Sequence, residues 1–159
     1  MAKILIVYYS KTGNTKKMAD LVCDGAKKEG VDAELKEVSC TKVKDLLKAD
    51  GIIIGSPTYY GLPAAQIKDF IDKSVKYHGK LEGKVGGAFT SSANIGGGNE
   101  STILSIIEFF LIHGMIVQGT SKGDHYGPVS ISSPDNRAEK QCRELGSRVA
   151  KLVKRVSIQ

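Results

Sequence analysis

A buried strand, a polar turn and the start of a helix follow one another directly in the segment Ile4-Leu5-Ile6-Val7-Tyr8-Tyr9-Ser10-Lys11-Thr12-Gly13-Asn14-Thr15, and this succession determines the fold class. Residues 4–9 are continuously apolar or aromatic, which is typical of a strand covered on both faces of a parallel sheet. Apolar side chains then recur at helical spacing over residues 14–29, and Gly30 is placed to end that helix. A strand followed at once by a helix predicts the first unit of an α/β domain.

The same alternation continues to the end of the chain. Further strands are predicted at 31–38, 51–55, 84–90 and from 115 to 117, and further helices at 42–48, 64–76, 100–113 and 134–156. Residues 118–135 are predicted as one long polar loop. Five such units are too few for a closed eight-stranded barrel. The first and third strands are the purest apolar runs and belong in the middle, which predicts a five-stranded parallel sheet in the order 2-1-3-4-5. With helices on both faces, this is a three-layer sandwich forming a single domain over residues 1–159.

Composition agrees with one globular domain and excludes several other classes. The 159 residues are 41% apolar and 25% charged, unlike a disordered, collagen-like or coiled-coil chain. No apolar run approaches the length of a membrane span, so membrane insertion is not expected. The start of the chain shows no cleavage site and predicts no signal peptide. Three widely spaced cysteines form no zinc pattern, which predicts no metal and a reducing, cytoplasmic location.

The net charge of +6 is concentrated near the end of the chain. Residues 137–159 hold seven Lys or Arg and two Glu. No aromatic residue alternates with these charges, and no nucleic-acid motif accompanies them. We therefore interpret the segment as a solvated helix face, and nucleic acid is not an expected partner.

In a doubly wound sheet, ligands bind beyond the carboxyl ends of the strands, where the strand order switches. The loop after the first strand supplies hydroxyl and amide groups and a glycine directly before a helix: Ser10, Lys11, Thr12, Gly13, Asn14 and Thr15. Helix N-termini favour anions, so this loop predicts a phosphate site. It is neither a P-loop nor a GxGxxG turn. Neutral donors suit a mononucleotide monoester better than a triphosphate with Mg²⁺.

Two further loops predict a site for a flat ring. The loop after the third strand contains Pro57, Thr58, Tyr59, Tyr60 and Gly61, and its tyrosines are suited to stacking. It lacks the aspartate of a receiver domain. The loop after the fourth strand contains Ser91, Ser92, Ala93, Asn94, Ile95 and Gly96. Small residues there let the backbone approach the edge of a planar ligand.

At these loops the sequence resembles the flavodoxin-like, FMN-binding proteins, and most closely the WrbA-type NAD(P)H:quinone oxidoreductases. Residues 10–15 resemble the phosphate loop, and 57–61 and 90–100 resemble the second and third FMN loops. Residues 112–115 and 123–127 are also similar to segments of that family, although Ile95 and Ile112 stand where it usually has histidine. The resemblance implies a flavodoxin-like sandwich that holds FMN at the loop residues named above. It also implies NAD(P)H as donor, a quinone or redox-protein acceptor, and a homodimer or homotetramer.

The sequence leaves three functions open. In the first, NAD(P)H reduces the flavin and the flavin reduces a quinone, with His125 or Tyr126 supplying a proton or hydrogen bond to the quinone oxygen. The second is an electron carrier, a flavodoxin in the strict sense. Such carriers resemble one another in strong acidity, so the basic charge of this chain favours the enzyme. The third is a non-enzymatic FMN-binding module. His113 is expected to be a satisfied residue near a helix end.

Overall fold

A computed structural model describes residues 1–157 and shows one mixed sheet of seven strands. The strands are β1 (Lys3–Tyr8), β2 (Asp32–Glu37), β3 (Gly51–Tyr59), β4 (Leu62–Pro63), β5 (Val85–Ser92), β6 (Ile116–Val117) and β7 (Val129–Ile131). The main path runs β2-β1-β3-β5-β6 and is parallel throughout. β7 also pairs with β5, so β6 and β7 are two halves of a fifth strand. The predicted order 2-1-3-4-5 is confirmed.

Helices cover both faces of the sheet. They are α1 (Asn14–Lys27), α2 (Ala65–Lys73), α3 (Asn99–Ile112) and α4 (Asn136–Val156). The alternation of side chains along a strand divides the core in two. In β1, Ile4 and Ile6 belong to the cluster under α1 and α4, whereas Leu5 and Val7 belong to the cluster with α2 and α3. The predicted three-layer sandwich is therefore observed. Over residues 1–157, none of the helices is long and apolar enough to cross a membrane.

The predicted helix at 42–48 is a 3₁₀ helix at Val43–Lys48. Its buried residues are Val43 and Leu46, three positions apart, which matches three residues per turn. The predicted helix at 64–76 is α-helical only to Lys73 and continues as a 3₁₀ turn at Ser74–Tyr77. In both places the segment is short and buries only one or two side chains, and it forms 3₁₀ turns in place of further turns of α-helix.

The third strand is longer than predicted. It continues past Gly55 to Tyr59, where it turns back as β4, so the expected loop is mostly a hairpin. Pairing with β1 ends at Gly55, whereas pairing with β5 continues through Pro57. Pro57 is tolerated because the part of β3 beyond Gly55 has a parallel neighbour on one side only, and proline has no N–H to donate on the other side.

The segment 118–135, predicted as one long loop, contains the second half of the fifth strand. β6 pairs with the start of β5, and β7 pairs with its end at Thr90–Ser92. Between them, residues 118–128 leave the sheet, and the chain returns where the Pro128 carbonyl accepts a hydrogen bond from Thr90 N–H at 3.0 Å. The end of the fifth strand therefore reaches the carboxyl edge of the sheet beside β5.

Two glycines allow α1 and α4 to cross in backbone contact. A Cβ on Gly146 would lie 2.0 Å from the Val22 carbonyl oxygen, and a Cβ on Gly25 would lie 2.1 Å from the Arg143 carbonyl oxygen. Cys142 is buried on the same helix, and burial raises the pKa of its thiol to about 12. The crossing fixes α1 and therefore the position of its N-terminus.

His113 follows α3 in a buried position, with one of its two ring nitrogens satisfied. Ser74 Oγ donates to the Ile71 carbonyl at 2.6 Å, so it accepts from His113 Nε2 at 2.8 Å. Nδ1 is buried with no hydrogen-bond partner among the described residues. The prediction of a satisfied histidine near a helix end therefore holds for Nε2 and not for Nδ1.

Stability is expected to fall between pH 7.5 and pH 5.5 because of His113. Burial, together with His78, holds the pKa of His113 below its usual 6.5. At pH values between the folded and the unfolded pKa of His113, the unfolded chain binds more protons than the folded chain. The contribution of neutral His113 to the free energy of unfolding is therefore complete above pH 6.5 and is lost as the pH falls. Urea unfolding at the two pH values measures the loss. His113→Gln should make the two free energies nearly equal, and an unchanged pH difference would contradict this assignment.

Candidate functional site

The loops after β1, β3 and β5 meet at the carboxyl end of the sheet and enclose a cavity of about 280 Å³. It is lined by Lys11, Thr12, Asn14, Thr15, Pro57, Thr58, Tyr59, Ser91, Ser92, Ala93 and Ser132. All of these except Ser132 belong to the three predicted loops. The cavity lies beside the switch between β1 and β3, where doubly wound folds bind their ligands.

The first loop presents the start of α1 to the cavity. Gly13 precedes the helix with φ +96°, and no side chain among the described residues caps it. Ser10 Oγ accepts a hydrogen bond from Gly13 N–H at 3.1 Å, which holds the turn. The first N–H groups of α1 have no acceptor within the helix, and together with the helix dipole they form an anion site.

Thr15 connects the first and third loops. Its side chain is buried, and Thr15 Oγ1 lies 2.8 Å from Ser91 Oγ. The hydroxyl is therefore engaged within the protein, and the backbone N–H is its free donor. Thr12 has no such partner among the described residues and lines the cavity with its hydroxyl uncommitted. The sequence does not distinguish these two roles, because both threonines stand in the same polar turn.

The second loop is a tight hairpin whose turn residues are Tyr60 and Gly61. Both have positive φ, +48° and +78°, as a type I′ turn requires. Tyr60 is fully exposed at the tip and does not line the cavity, whereas Tyr59 is 41% exposed and does. A non-glycine residue in this strained conformation, with an exposed aromatic ring, fits a contact with a ligand.

Hydrogen bonds fix the hairpin to its surroundings. Ser56 Oγ accepts from Ala64 N–H at 2.9 Å and closes the base of the hairpin. Ser101 Oγ donates to the Gly61 carbonyl at 2.8 Å and attaches the tip to α3. Thr58 Oγ1 and Thr90 Oγ1 lie 2.8 Å apart and join the second loop to β5. The aromatic wall of the cavity is therefore held in place at both its base and its tip.

The buried side chain of Asn99 organises the third loop. Asn99 Oδ1 accepts from Gly96 N–H at 3.1 Å, and Asn99 Nδ2 donates to the Asn94 carbonyl at 3.4 Å and to Ser92 Oγ. The predicted ring-edge residues Asn94, Ile95 and Gly96 lie in the outer part of this loop, where Ile95 is 87% exposed. They do not line the cavity, unlike Ser91, Ser92 and Ala93.

Asn99→Ala is expected to weaken ligand binding at the cavity about tenfold or more. The variant removes three hydrogen bonds, each contributing about 0.5–1.5 kcal/mol, so the loop must be ordered by the ligand instead. Asn94→Ala is the matched control, because Asn94 contributes its carbonyl and not its side chain. Titration of both variants with FMN, the ligand that the resemblance of the loops implies, measures the difference. Equal affinities in the two variants would contradict a positioning role for Asn99.

The cavity has a positive electrostatic character. Lys11 is the one charged residue among the described residues that line it. Burial, with a smaller effect of Tyr9, raises the pKa of Tyr59, so this phenol stays neutral. Neutral hydroxyls, helix N–H groups and one lysine together suit an anionic head group with a neutral ring.

His125 and Tyr126 do not line the cavity. Both are exposed within residues 118–128, and His125 Nδ1 lies 2.8 Å from the Thr120 carbonyl oxygen. Their predicted contact with a substrate stays a prediction. No cluster of His, Cys, Asp or Glu side chains able to hold a metal ion occurs in the part of the chain that the structure describes.

Ser132 lines the cavity although the sequence did not predict it there. It follows β7 directly and has φ +60°. The alternation Val129-Ser130-Ile131 is a short strand signal inside the segment interpreted as a loop. A strand predicted at these residues would place the residue after it, Ser132, at the carboxyl edge of the sheet. The predicted site would then include a fourth segment.

Comparison with known proteins identifies two kinds of relative. The family described as "Flavodoxin" matches residues 6–102. The chain is 41% identical to a "Flavodoxin" of Aquifex aeolicus over 162 positions, covering 96% of this chain and 88% of that one. It is 34% identical to an "NAD(P)H dehydrogenase (quinone)" of Archaeoglobus fulgidus over 190 positions, covering 98% of this chain and 100% of that one.

The solved structures include a near match to the whole chain. The flavodoxin, WrbA-like protein from Agrobacterium tumefaciens superposes with a TM-score of 0.86 at 31% identity. The match covers 98% of this chain and 99% of that one. The predicted fold class and the predicted resemblance are both confirmed.

Proposed function

The chain belongs to the flavodoxin family, and we propose that it binds FMN and carries electrons between redox proteins. The observation that carries the proposal is the cavity itself. An uncapped helix start, neutral hydroxyls and a stacking tyrosine converge at the switch point of the sheet. FMN has the matching parts, a phosphate monoester and a flat ring, and it supplies reversible electron storage when bound.

The three loops would divide the cofactor between them. Thr12, Asn14 and the first N–H groups of α1 would hold the phosphate, with Ser10 and Gly13 shaping the turn. The second loop, from Pro57 to Gly61, would form the ring wall. The third loop would present its backbone to the polar edge of the ring at Ser91, Ser92 and Ala93, which line the cavity.

Two observations favour a carrier over a quinone reductase. No His, Asp or Glu lines the cavity among residues 1–157, so the site offers few groups for proton transfer to a bound quinone. The alignment with the quinone dehydrogenase also runs over 190 positions, although the chain has 159 residues, so that relative carries segments that this chain lacks. The alignment with the flavodoxin relative runs over 162 positions.

A second candidate is the NAD(P)H:quinone oxidoreductase that the sequence favoured. It is supported by the 34% identity to a quinone dehydrogenase along nearly the whole chain and by the likeness to a WrbA-like structure. In that function, residues 118–128 would close over the ring, and His125 or Tyr126 would contact the quinone oxygen. A cytoplasmic site of action belongs to both proposals and agrees with three free cysteines.

An anaerobic titration of the FMN-loaded protein separates the two functions. NADH and NADPH are added in turn while the flavin absorbance is followed, and benzoquinone is then added. If the protein is a carrier, neither nucleotide should bleach the flavin absorbance on the timescale of enzymatic turnover. The carrier function also predicts two separate one-electron steps in a potentiometric titration. Rapid bleaching followed by reoxidation with benzoquinone would establish the reductase instead.

A further inference from the structure

We propose that a basic cleft between α4 and residues 120–123 is the docking surface for an acidic redox protein. The inference rests on the proposed carrier function and names the class of its partner. The cleft has a volume of about 390 Å³ and lies outside the cofactor cavity. It is lined by Thr120, Lys122, Gly123, Arg137, Lys140, Gln141, Glu144 and Arg148.

The walls of the cleft are fixed by hydrogen bonds at its base. Gln141 Oε1 accepts from Asp124 N–H at 2.8 Å and holds the loop against α4. Arg137 Nη1 donates to both oxygens of Asp124, at 2.9 and 2.8 Å. Arg137 is therefore neutralised within the protein and acts as a structural clamp.

The other three cations are poorly compensated. Lys122 and Arg148 form no ion pair with a carboxylate among the described residues, and Lys140 Nζ reaches Glu144 only at 3.9 Å. The cleft thus presents three positive side chains against one facing carboxylate, Glu144. A closer surface ion pair occurs on the same helix between Arg143 and Glu139, at 3.4 Å.

Arg148 is the most constrained of these cations. Its Nε donates to the Gln118 carbonyl at 3.2 Å, and the side chain is partly buried. Burial lowers the pKa of the guanidinium, with Glu144 opposing this effect. A partly desolvated cation without a close carboxylate is stabilised by a carboxylate that arrives on a partner, because charge-assisted hydrogen bonds are the strongest available to it.

The features of the cleft favour a protein over a small anion. Lys122 and Lys140 are exposed, with long side chains. Such side chains produce a field that steers a large charged partner more than they define a small-molecule site. Farther along α4, Arg155 is exposed, whereas Lys151 forms an ion pair with Glu29 at 3.4 Å and Lys154 donates to the Glu29 carbonyl at 2.7 Å.

The cleft is also adjacent to the cofactor cavity. Arg137 Nη2 donates to the Val129 carbonyl at 2.7 Å, and Val129 begins β7. Ser132, just after the same strand, lines the cavity. Three residues of an extended strand span about 10 Å, so a partner seated on the cleft lies about that far along β7 from the rim of the cavity. An electron carrier that docks to basic partners is expected to be acidic. An acidic partner seated on the cleft would account for the basic charge of this chain.

The test measures binding of an acidic [2Fe–2S] ferredoxin by calorimetry at low ionic strength, with a basic c-type cytochrome as the second probe. The test variant is Lys122→Glu with Lys140→Glu. The control is Lys44→Glu with Lys80→Glu, which changes the net charge equally at two exposed lysines outside the cleft. The cleft variant should bind the ferredoxin at least tenfold more weakly, and the control less than threefold. The parent protein should bind the cytochrome far more weakly than the ferredoxin.

Equal weakening in both variants would overturn the proposal, because it would show a response to net charge alone. A short single-stranded DNA that displaces the ferredoxin at comparable affinity would overturn it as well. Each titration is made on the apoprotein and on the FMN-loaded protein. A chain that failed to bind FMN but kept the cleft-specific ferredoxin binding would contradict the proposed function and leave the docking surface intact.

Discussion

Thr12→Asp is expected to lower the affinity for FMN by about a thousandfold. The Thr12 side chain lines the cavity beside the uncapped start of α1. A carboxylate there would face the phosphate at roughly 4 Å, and two like charges at that distance repel by about 4 kcal/mol near a protein surface. That energy corresponds to about three orders of magnitude in the dissociation constant.

Thr12→Ser is the matched control, since it keeps the hydroxyl and adds no charge. Its affinity for FMN should stay within about threefold of the parent protein. Fluorescence titration of the apoproteins with FMN gives both constants, and circular dichroism confirms that the fold is retained. If Thr12→Asp bound FMN as tightly as Thr12→Ser, the phosphate would have to lie elsewhere.

Gly146→Ala is expected to reduce the free energy of unfolding by about 2 kcal/mol or more. Alanine in the middle of a helix would gain about 1 kcal/mol over glycine on helix propensity alone. At Gly146 the new Cβ would lie 2.0 Å from the Val22 carbonyl oxygen and 2.7 Å from the Ala26 nitrogen. Backbone atoms cannot rotate away, so the two helices must separate and loosen the buried side chains between them. The cost of that separation exceeds the gain in helix propensity, and the variant is therefore destabilised.

Urea unfolding measures the effect, with Arg155→Ala on the exposed part of α4 as the control that should change stability by less than about 0.5 kcal/mol. Gly25→Ala should be destabilising for the same reason. The double variant should lose less than the sum of the two single losses, because one separation of the helices relieves both overlaps. A Gly146→Ala protein as stable as the parent would show that the crossing is not in backbone contact.

The elements that the sequence predicted correctly are those whose signals are local. The apolar run at residues 4–9 and the polar turn before Asn14 determine β1, the first loop and α1 with little help from elsewhere. The second half of the fifth strand could not be predicted in the same way. Three residues, Val129–Ile131, form a strand because the end of β5 offers an unpaired edge, which is a tertiary cause.

The candidate site shows the same limit. Residue types identified the three loops, since hydroxyls before a helix and paired tyrosines are well suited to a phosphate and a flat ring. Their roles depend on neighbours distant in sequence. Thr15 is engaged because Ser91 lies opposite it, 76 positions away, and Tyr60 is presented outward by a hairpin tip that the Ser101 hydroxyl holds. Asn99 lies just beyond the predicted ring-edge residues, yet its side chain holds their loop in place.

We propose that the start of α1 holds the phosphate of FMN. Titration of the apoprotein with FMN and, in parallel, with riboflavin tests this assignment, because the two ligands share the ring and differ in the phosphate. We expect one FMN per chain and an affinity at least about a hundredfold above that for riboflavin, or about 2.7 kcal/mol. Equal affinity for the two ligands, or no binding of FMN, would contradict the claim.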